Sequence, residues 1–224
     1  MLKATNLTAG YRDPIVRDAS FELEKGKITG IVGANGTGKS TVIKTIAGLI
    51  PKHGGEIKID GHLSYMPQHA DVDWDFPATV HDLVIMGRAP RLKWWQWYSA
   101  EDKKRTSQAL EQVGMGNLGK QDISKLSGGQ RQRALLARTL VSDPDIVLLD
   151  EPFAGIDAHS QASIEEVLRE LRGQGIALAL VHHNLQEVAA LCDNVIMLES
   201  GRISAQGPTS TTLSDQAIAS MFSS

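Results

Sequence analysis

The sequence predicts an α/β protein with a mostly parallel sheet, antiparallel strands at its N-terminus and a helical segment inserted in the middle. Three observations predict it. Ile28 to Val32 is a short apolar run that leads through Gly33–Thr41 (GANGTGKST) into Val42-Ile43-Lys44-Thr45-Ile46-Ala47, so strand, glycine loop and helix follow one another. Ile146 to Leu149 and Ile176 to Val181 are apolar without alternation, the pattern of strands buried on both faces. From Asp71 onward the apolar spacing turns helical, and residues 71–140 read as an inserted helical subdomain within a single domain spanning 1–224.

In chain order, Leu2 to Leu7 and Ile15 to Leu23 alternate loosely and end in turn residues, as strands of a partly antiparallel sheet do. Tyr11 lies in the connection between them, where an aromatic can stack on a base or cap a sheet edge. The glycine loop fits G-x-x-x-x-G-K-[ST] at Gly33, Gly38, Lys39 and Ser40. Backbone N–H groups of such a loop curl around a polyphosphate, and the helix N-terminus adds its dipole and free donors. Lys39 then reaches the β and γ phosphates, and the Ser40 hydroxyl ligates Mg2+. With a strand before the loop and a helix after it, the segment predicts nucleoside triphosphate binding. Ile50-Pro51 and His53-Gly54-Gly55 read as a break, Glu56 to Asp60 and Leu63 to Met66 as short strands, and Gln68 follows the second of these.

In the helical segment, Val80, Leu83, Val84 and Met86 keep apolar spacing, and Glu101 to Gly114 carries Ala109, Leu110 and Val113 on one face. Between them stand Trp94, Trp95 and Trp97 beside Arg88, Arg91 and Lys93, either a local core under a loop or a partner surface. Leu126-Ser127-Gly128-Gly129-Gln130 opens a helix from Arg131 and forms a second anion-binding helix start. It lies too far along the chain to serve the first loop's phosphates in an ordinary fold. Ile146 to Leu149 ends in Asp150-Glu151, and ligands of open α/β sheets sit at strand C-termini. Asp150 is thereby placed at Mg2+ and Glu151 at the attacking water. Asp157 can cap the next helix, whose stripe is Ile164, Val167, Leu168 and Leu171. His182-His183-Asn184 follows the last buried strand. Adjacent histidines point apart and chelate poorly, so a histidine there reads as a γ-phosphate contact. A helix over Leu185 to Leu191, a strand over Val195 to Leu198, another from Arg202 and a helix from Ser214 to Met221 complete the chain.

Composition narrows the class. A net charge of −3 with no long like-charge run disfavours a nucleic-acid partner. The lone Cys192 permits no internal disulfide, fits a cytosolic protein and reads as a buried packing residue. The N-terminus lacks the pattern of a signal peptide, and no apolar run approaches the ~18 residues that span a bilayer. A membrane role must therefore come through a partner.

These motifs, in this order and over essentially the whole chain, resemble the ATP-binding subunits of ABC transporters, and LSGGQ (Leu126 to Gln130) is the most specific of them. The resemblance implies a P-loop ATPase core, ATP and Mg2+ as cofactors, and hydrolysis in a head-to-tail dimer. It implies ATP contacts from Tyr11 (the adenine-stacking aromatic), Gly33, Asn35, Gly36, Gly38, Lys39, Ser40 and Thr41. Ser127 and Gly129 of the second copy close on the same nucleotide, and Gly128, Gln130 and Asp157 are also assigned to it. Mg2+ falls to Ser40, Gln68 and, through water, Asp150. Glu151 polarises the water, His183 holds the γ-phosphate end, and Lys39 and Gln68 complete the catalytic set. In the family an acid follows that histidine, whereas this chain has Asn184.

Val72 to Pro77, Met86-Gly87-Arg88 and Asp150 to Asp157 further resemble subunits of manganese and zinc importers. The implied cargo is manganese first, zinc second and chelated iron third. A siderophore or cobalamin importer is the alternative within the family, and a soluble ABC-type ATPase the alternative outside transport. The implied partners are an integral-membrane permease and, indirectly, an extracytoplasmic metal-binding protein, with the chain at the cytoplasmic face of the membrane. The region after Gln68 and the tryptophan cluster are expected to meet the permease.

Overall fold

The computed structural model describes residues 1–93 and 95–213. In chain order the elements are β1 (Leu2–Ala9), β2 (Val16–Leu23), β3 (Ile28–Val32), α1 (Lys39–Ile46), β4 (Lys52–Ile59), β5 (Leu63–Met66), α2 (Val80–Ile85), α3 (Ala100–Gln112) and α4 (Gly128–Leu140). They are followed by β6 (Ile146–Asp150), α5 (Ala158–Gly173), β7 (Ala177–Val181), α6 (Leu185–Leu191), β8 (Asn194–Glu199), β9 (Arg202–Pro208) and α7 (Thr209–Thr212). The helix expected from Ser214 to Met221 lies outside the described residues, as does Trp94. The chain divides into two compact units, one of residues 1–63, 145–151 and 171–224, the other of 64–144 and 152–170.

In the first unit, β2-β1-β4 form an antiparallel sheet and a larger sheet runs in the order β6-β7-β3-β8-β9. The first four strands of the larger sheet are parallel, and β9 returns antiparallel to β8. Every residue of β3, β6 and β7 is buried, which is why these strands read as unbroken apolar runs. One expectation fails here. The His53-Gly54-Gly55 stretch is no break but part of the first half of β4, which pairs with β1 from Ala9↔Lys52 to Leu2↔Ile59. Gly55 has φ +81, and a Cβ there would stand 2.3 Å from the carbonyl oxygen of Asn6. The glycine serves a bulged, close approach of two strands, not a turn.

In the second unit, α2, α3 and α4 bury Val80, Leu83, Val84, Ala109, Leu110 and Ala134–Ala137. Met86 leaves the predicted stripe. It is 42% exposed because α2 ends at Ile85 and the chain passes into a 3-10 run, Met86–Arg91, that contains Pro90. Helix α3 starts in a capping box: Asp102 N–H donates to Ser99 Oγ, and Ser99 N–H donates to the Asp102 carboxylate at 2.9 Å. Arg88 Nε donates to the other oxygen of buried Asp102 at 2.8 Å. The Ser99 hydrogen bonds, followed by the Arg88 guanidinium, pull the Asp102 pKa down to about 2.

Candidate active site

Strand register assembles the site in the first unit. Val181 on β7 pairs with Asp150 on β6 and with Ile31 on β3, so three parallel strands end side by side. From those ends emerge Glu151, the histidine pair and the glycine loop, at the edge where α/β sheets bind ligands.

The loop is shaped by its approach to β2. Gly38, the residue before α1, has φ +100, and a Cβ there would stand 2.6 Å from Val16. With no side chain to cap α1, the N–H groups of its first turn face whatever enters. Lys39 is buried, and its ammonium donates to the carbonyls of Gly33 (2.9 Å) and Ala34 (2.8 Å). Burial lowers its pKa, while the negative charges of Glu151 and Asp150 act in the opposite sense. A cleft of about 360 Å3 is lined by Ile15, Asn35, Gly36, Gly38, Lys39, Ser40, Thr41 and Glu151. The loop and the acidic strand end therefore share one space.

Ser40 Oγ donates to Asp150 Oδ1 at 2.8 Å, and the Lys44 ammonium lies 3.8 Å from Oδ2 of the same fully buried carboxylate. A hydroxyl and a carboxylate beside a phosphate cradle are hard oxygen donors, the set that suits Mg2+. Glu151 has φ +53, a left-handed conformation that costs a non-glycine residue of order 1 kcal/mol. That turn ends β6 and delivers the carboxylate to the cleft lining. His183 is exposed at the end of β7, while His182 is buried, their rings tilted by 58°.

The other predicted residues are not among those lining this cleft. Tyr11, in the first unit, is 63% exposed. Gln68, in the second unit, opens a 3-10 turn at His69–Asp71. Ser127 caps α4 reciprocally with Gln130: Ser127 N–H donates to Gln130 Oε1 at 2.9 Å and Gln130 N–H to Ser127 Oγ. Asp157 accepts from Ser160 N–H (2.9 Å) and Ser160 Oγ (2.8 Å), as a cap of α5 should, and these bonds lower its pKa. A Cβ on Gly129 would stand 2.1 Å from Ser160 Oγ, so this glycine is needed for space. A Cβ on Gly128 would stand 3.1 Å from the Gly155 carbonyl oxygen.

Three contacts went unread in the sequence: Lys44 beside Asp150, Ser160 against Gly129, and Glu187 against His182. Lys44 alone had a usable signal, because a residue one turn after Ser40 shares its helix face.

The sequence profile of the ABC transporter family matches residues 16–154. The chain is 41% identical over 224 residues to the zinc transport system ATP-binding protein TroB of Treponema pallidum, covering 96% of this chain and 84% of that protein. It is 42% identical over 213 residues to the manganese transport system ATP-binding protein MntB of Bacillus subtilis, covering 91% and 85%. Its fold matches an inward-facing conformation of a putative metal-chelate type ABC transporter at a TM-score of 0.91 and 28% identity, over 99% of this chain and 88% of that one. The chain belongs to the ABC transporter family, as one of its ATP-binding ATPases.

Proposed function

We propose that this ATPase powers uptake of a divalent transition metal, manganese or zinc, through an integral-membrane permease. The observation that carries this reading is identity above 40% over nearly the whole chain with ATP-binding proteins of a manganese system and of a zinc system. The cleft supplies the chemistry. Lys39 exchanges its two loop carbonyls for phosphate oxygens, and the N–H groups at the start of α1 bind the rest of the polyphosphate. Ser40 and Asp150 are the residues that would hold Mg2+ here, with Gln68 assigned to it by resemblance. When bound, the ion neutralises charge on the phosphates. Glu151 orients and polarises the water that attacks the γ-phosphate, and His183 donates to the γ-phosphate oxygens. Most of the rate enhancement then comes from positioning and charge neutralisation.

Two copies pack head to tail in this reading, so that Ser127 and Gly129 of one close on the ATP of the other. The permease meets the second unit at the surface around the tryptophans. Trp97 is 92% exposed and Trp95 58%, with Lys93 lying 5.4 Å over the Trp95 ring. Exposed apolar area of this kind marks an interaction site.

The test is the elemental content of cells that depend on this chain, grown in metal-poor medium with wild-type protein or Glu151→Gln. A selective fall in manganese or in zinc in the variant is expected, and which one falls names the cargo. Unchanged levels of both contradict the proposal, and a fall in iron alone replaces it with a chelated-iron importer.

A further inference from the structure

Between β7 and α6 lies a hydrogen-bonded triad that the chemistry above does not use. Buried His182 has Nε2 2.6 Å from Glu187 Oε2. Asn184 Nδ2 donates to the other oxygen, Oε1, at 2.5 Å. The Asn184 side-chain oxygen caps α6, accepting from Gln186 N–H at 3.0 Å and from Glu187 N–H at 3.5 Å. With Glu187 ionised, its carboxylate only accepts, and this contact then takes its proton from His182 Nε2. The backbone N–H of His182 donates to the carbonyl of Ile31 at 3.2 Å, which fixes this turn to the strand that leads into the phosphate loop.

The two side chains that Glu187 grips are those on either side of His183. We propose that Glu187 is a positioning residue for His183, its carboxylate clamping both neighbours so that the exposed imidazole is presented to the γ-phosphate in one direction. Glu187 acts only through the turn. Hydrogen bonds to a charged acceptor are the stronger kind, and two of them on one carboxylate fix both flanks of His183 together. The proposal rests on the reading of His183 as the γ-phosphate contact.

The polarity of the clamp yields a sharp test. In this chain, which has an amide where the family has an acid, Asn184 supplies the donor. Asn184→Asp keeps the size and the helix cap but sets two acceptors face to face at the present 2.5 Å spacing. Adding Glu187→Gln restores the bond in reverse, because the glutamine amide donates to the new carboxylate and its oxygen still accepts from His182. The measurement is ATP turnover, KM for ATP and nucleotide affinity of the full chain, for His183→Ala, Glu187→Ala, Asn184→Asp and the double variant.

Glu187→Ala and Asn184→Asp should lower kcat on the order of tenfold to a hundredfold, as misplacement of a catalytic group does. KM and affinity should change far less than kcat, because the phosphate loop, Lys39 and the N–H groups of α1, which carry most of the nucleotide binding in this reading, are untouched. The double variant should recover to within about threefold of wild type, the mark of a pairwise interaction. Asn184→Asp changes one isosteric group, so it reports even if Glu187→Ala fails to fold. A wild-type rate in His183→Ala overturns the reading of His183 itself. A crippled His183→Ala beside an undiminished Glu187→Ala, or a double variant that folds yet turns over no faster than Asn184→Asp, overturns the positioning role alone.

Discussion

Lys39 shows how a single side chain can be poised for a ligand. Its ammonium is buried, and loop carbonyls and nearby carboxylates compensate the cost of burial. Lys39→Ala should weaken ATP binding by at least about tenfold, or roughly 1.4 kcal/mol, with the fold intact by circular dichroism; unchanged affinity in a titration calorimeter would contradict its role. The glycine loop, Asp150 and Glu151 could be read from the sequence because each is a short string with a local mechanism. The contacts of Glu187 could not, since they depend on a turn that brings a helix residue back against the end of a strand. Ser160 was hidden for a similar reason: only the packed structure sets its hydroxyl where a Gly129 side chain would go.

Among the elements, apolar pattern located β3, β6, β7, α2, α3 and α5 because burial on both faces or on one helical stripe leaves a periodic trace. It caught β4 only from Glu56 onward, because glycines at a bulged, close strand pairing look like those that end a strand. It also failed at Met86, where an apolar residue sits on an exposed 3-10 turn. The order of the larger sheet had no local signature, since β3 lies between two strands from far along the chain. Two predictions belong at this scale. Gly129→Ala should destabilise the protein by about 1–3 kcal/mol in urea unfolding, because Ser160 Oγ blocks the added methyl. Asp102→Asn should cost about 2 kcal/mol at neutral pH, from a carboxylate whose folded pKa is about 2 against an ordinary value near 3.8. A lowered pKa stabilises above the unfolded value and loses its effect as pH falls through the folded one. The gap between wild type and variant should therefore close from pH 4 towards pH 2; a gap that stays constant would refute the assignment.

For the whole molecule, no helix among the described residues is long and apolar enough to cross a membrane. The head-to-tail arrangement predicts complementation. Neither Ser127→Arg nor Lys39→Ala chains should hydrolyse ATP alone, yet mixing them should restore part of the activity, because one of the two sites regains a wild-type Lys39 and a wild-type Ser127. No recovery between folded, dimerising variants would count against shared sites. The central claim is that the Glu151 carboxylate, carried into the phosphate cleft by a strained turn at the end of β6, drives hydrolysis. It is tested most directly by measuring ATP affinity and turnover of Glu151→Gln on the same preparation. The account predicts unchanged affinity with turnover reduced about a hundredfold or more, the range for loss of a general base. Turnover at the wild-type rate would contradict it.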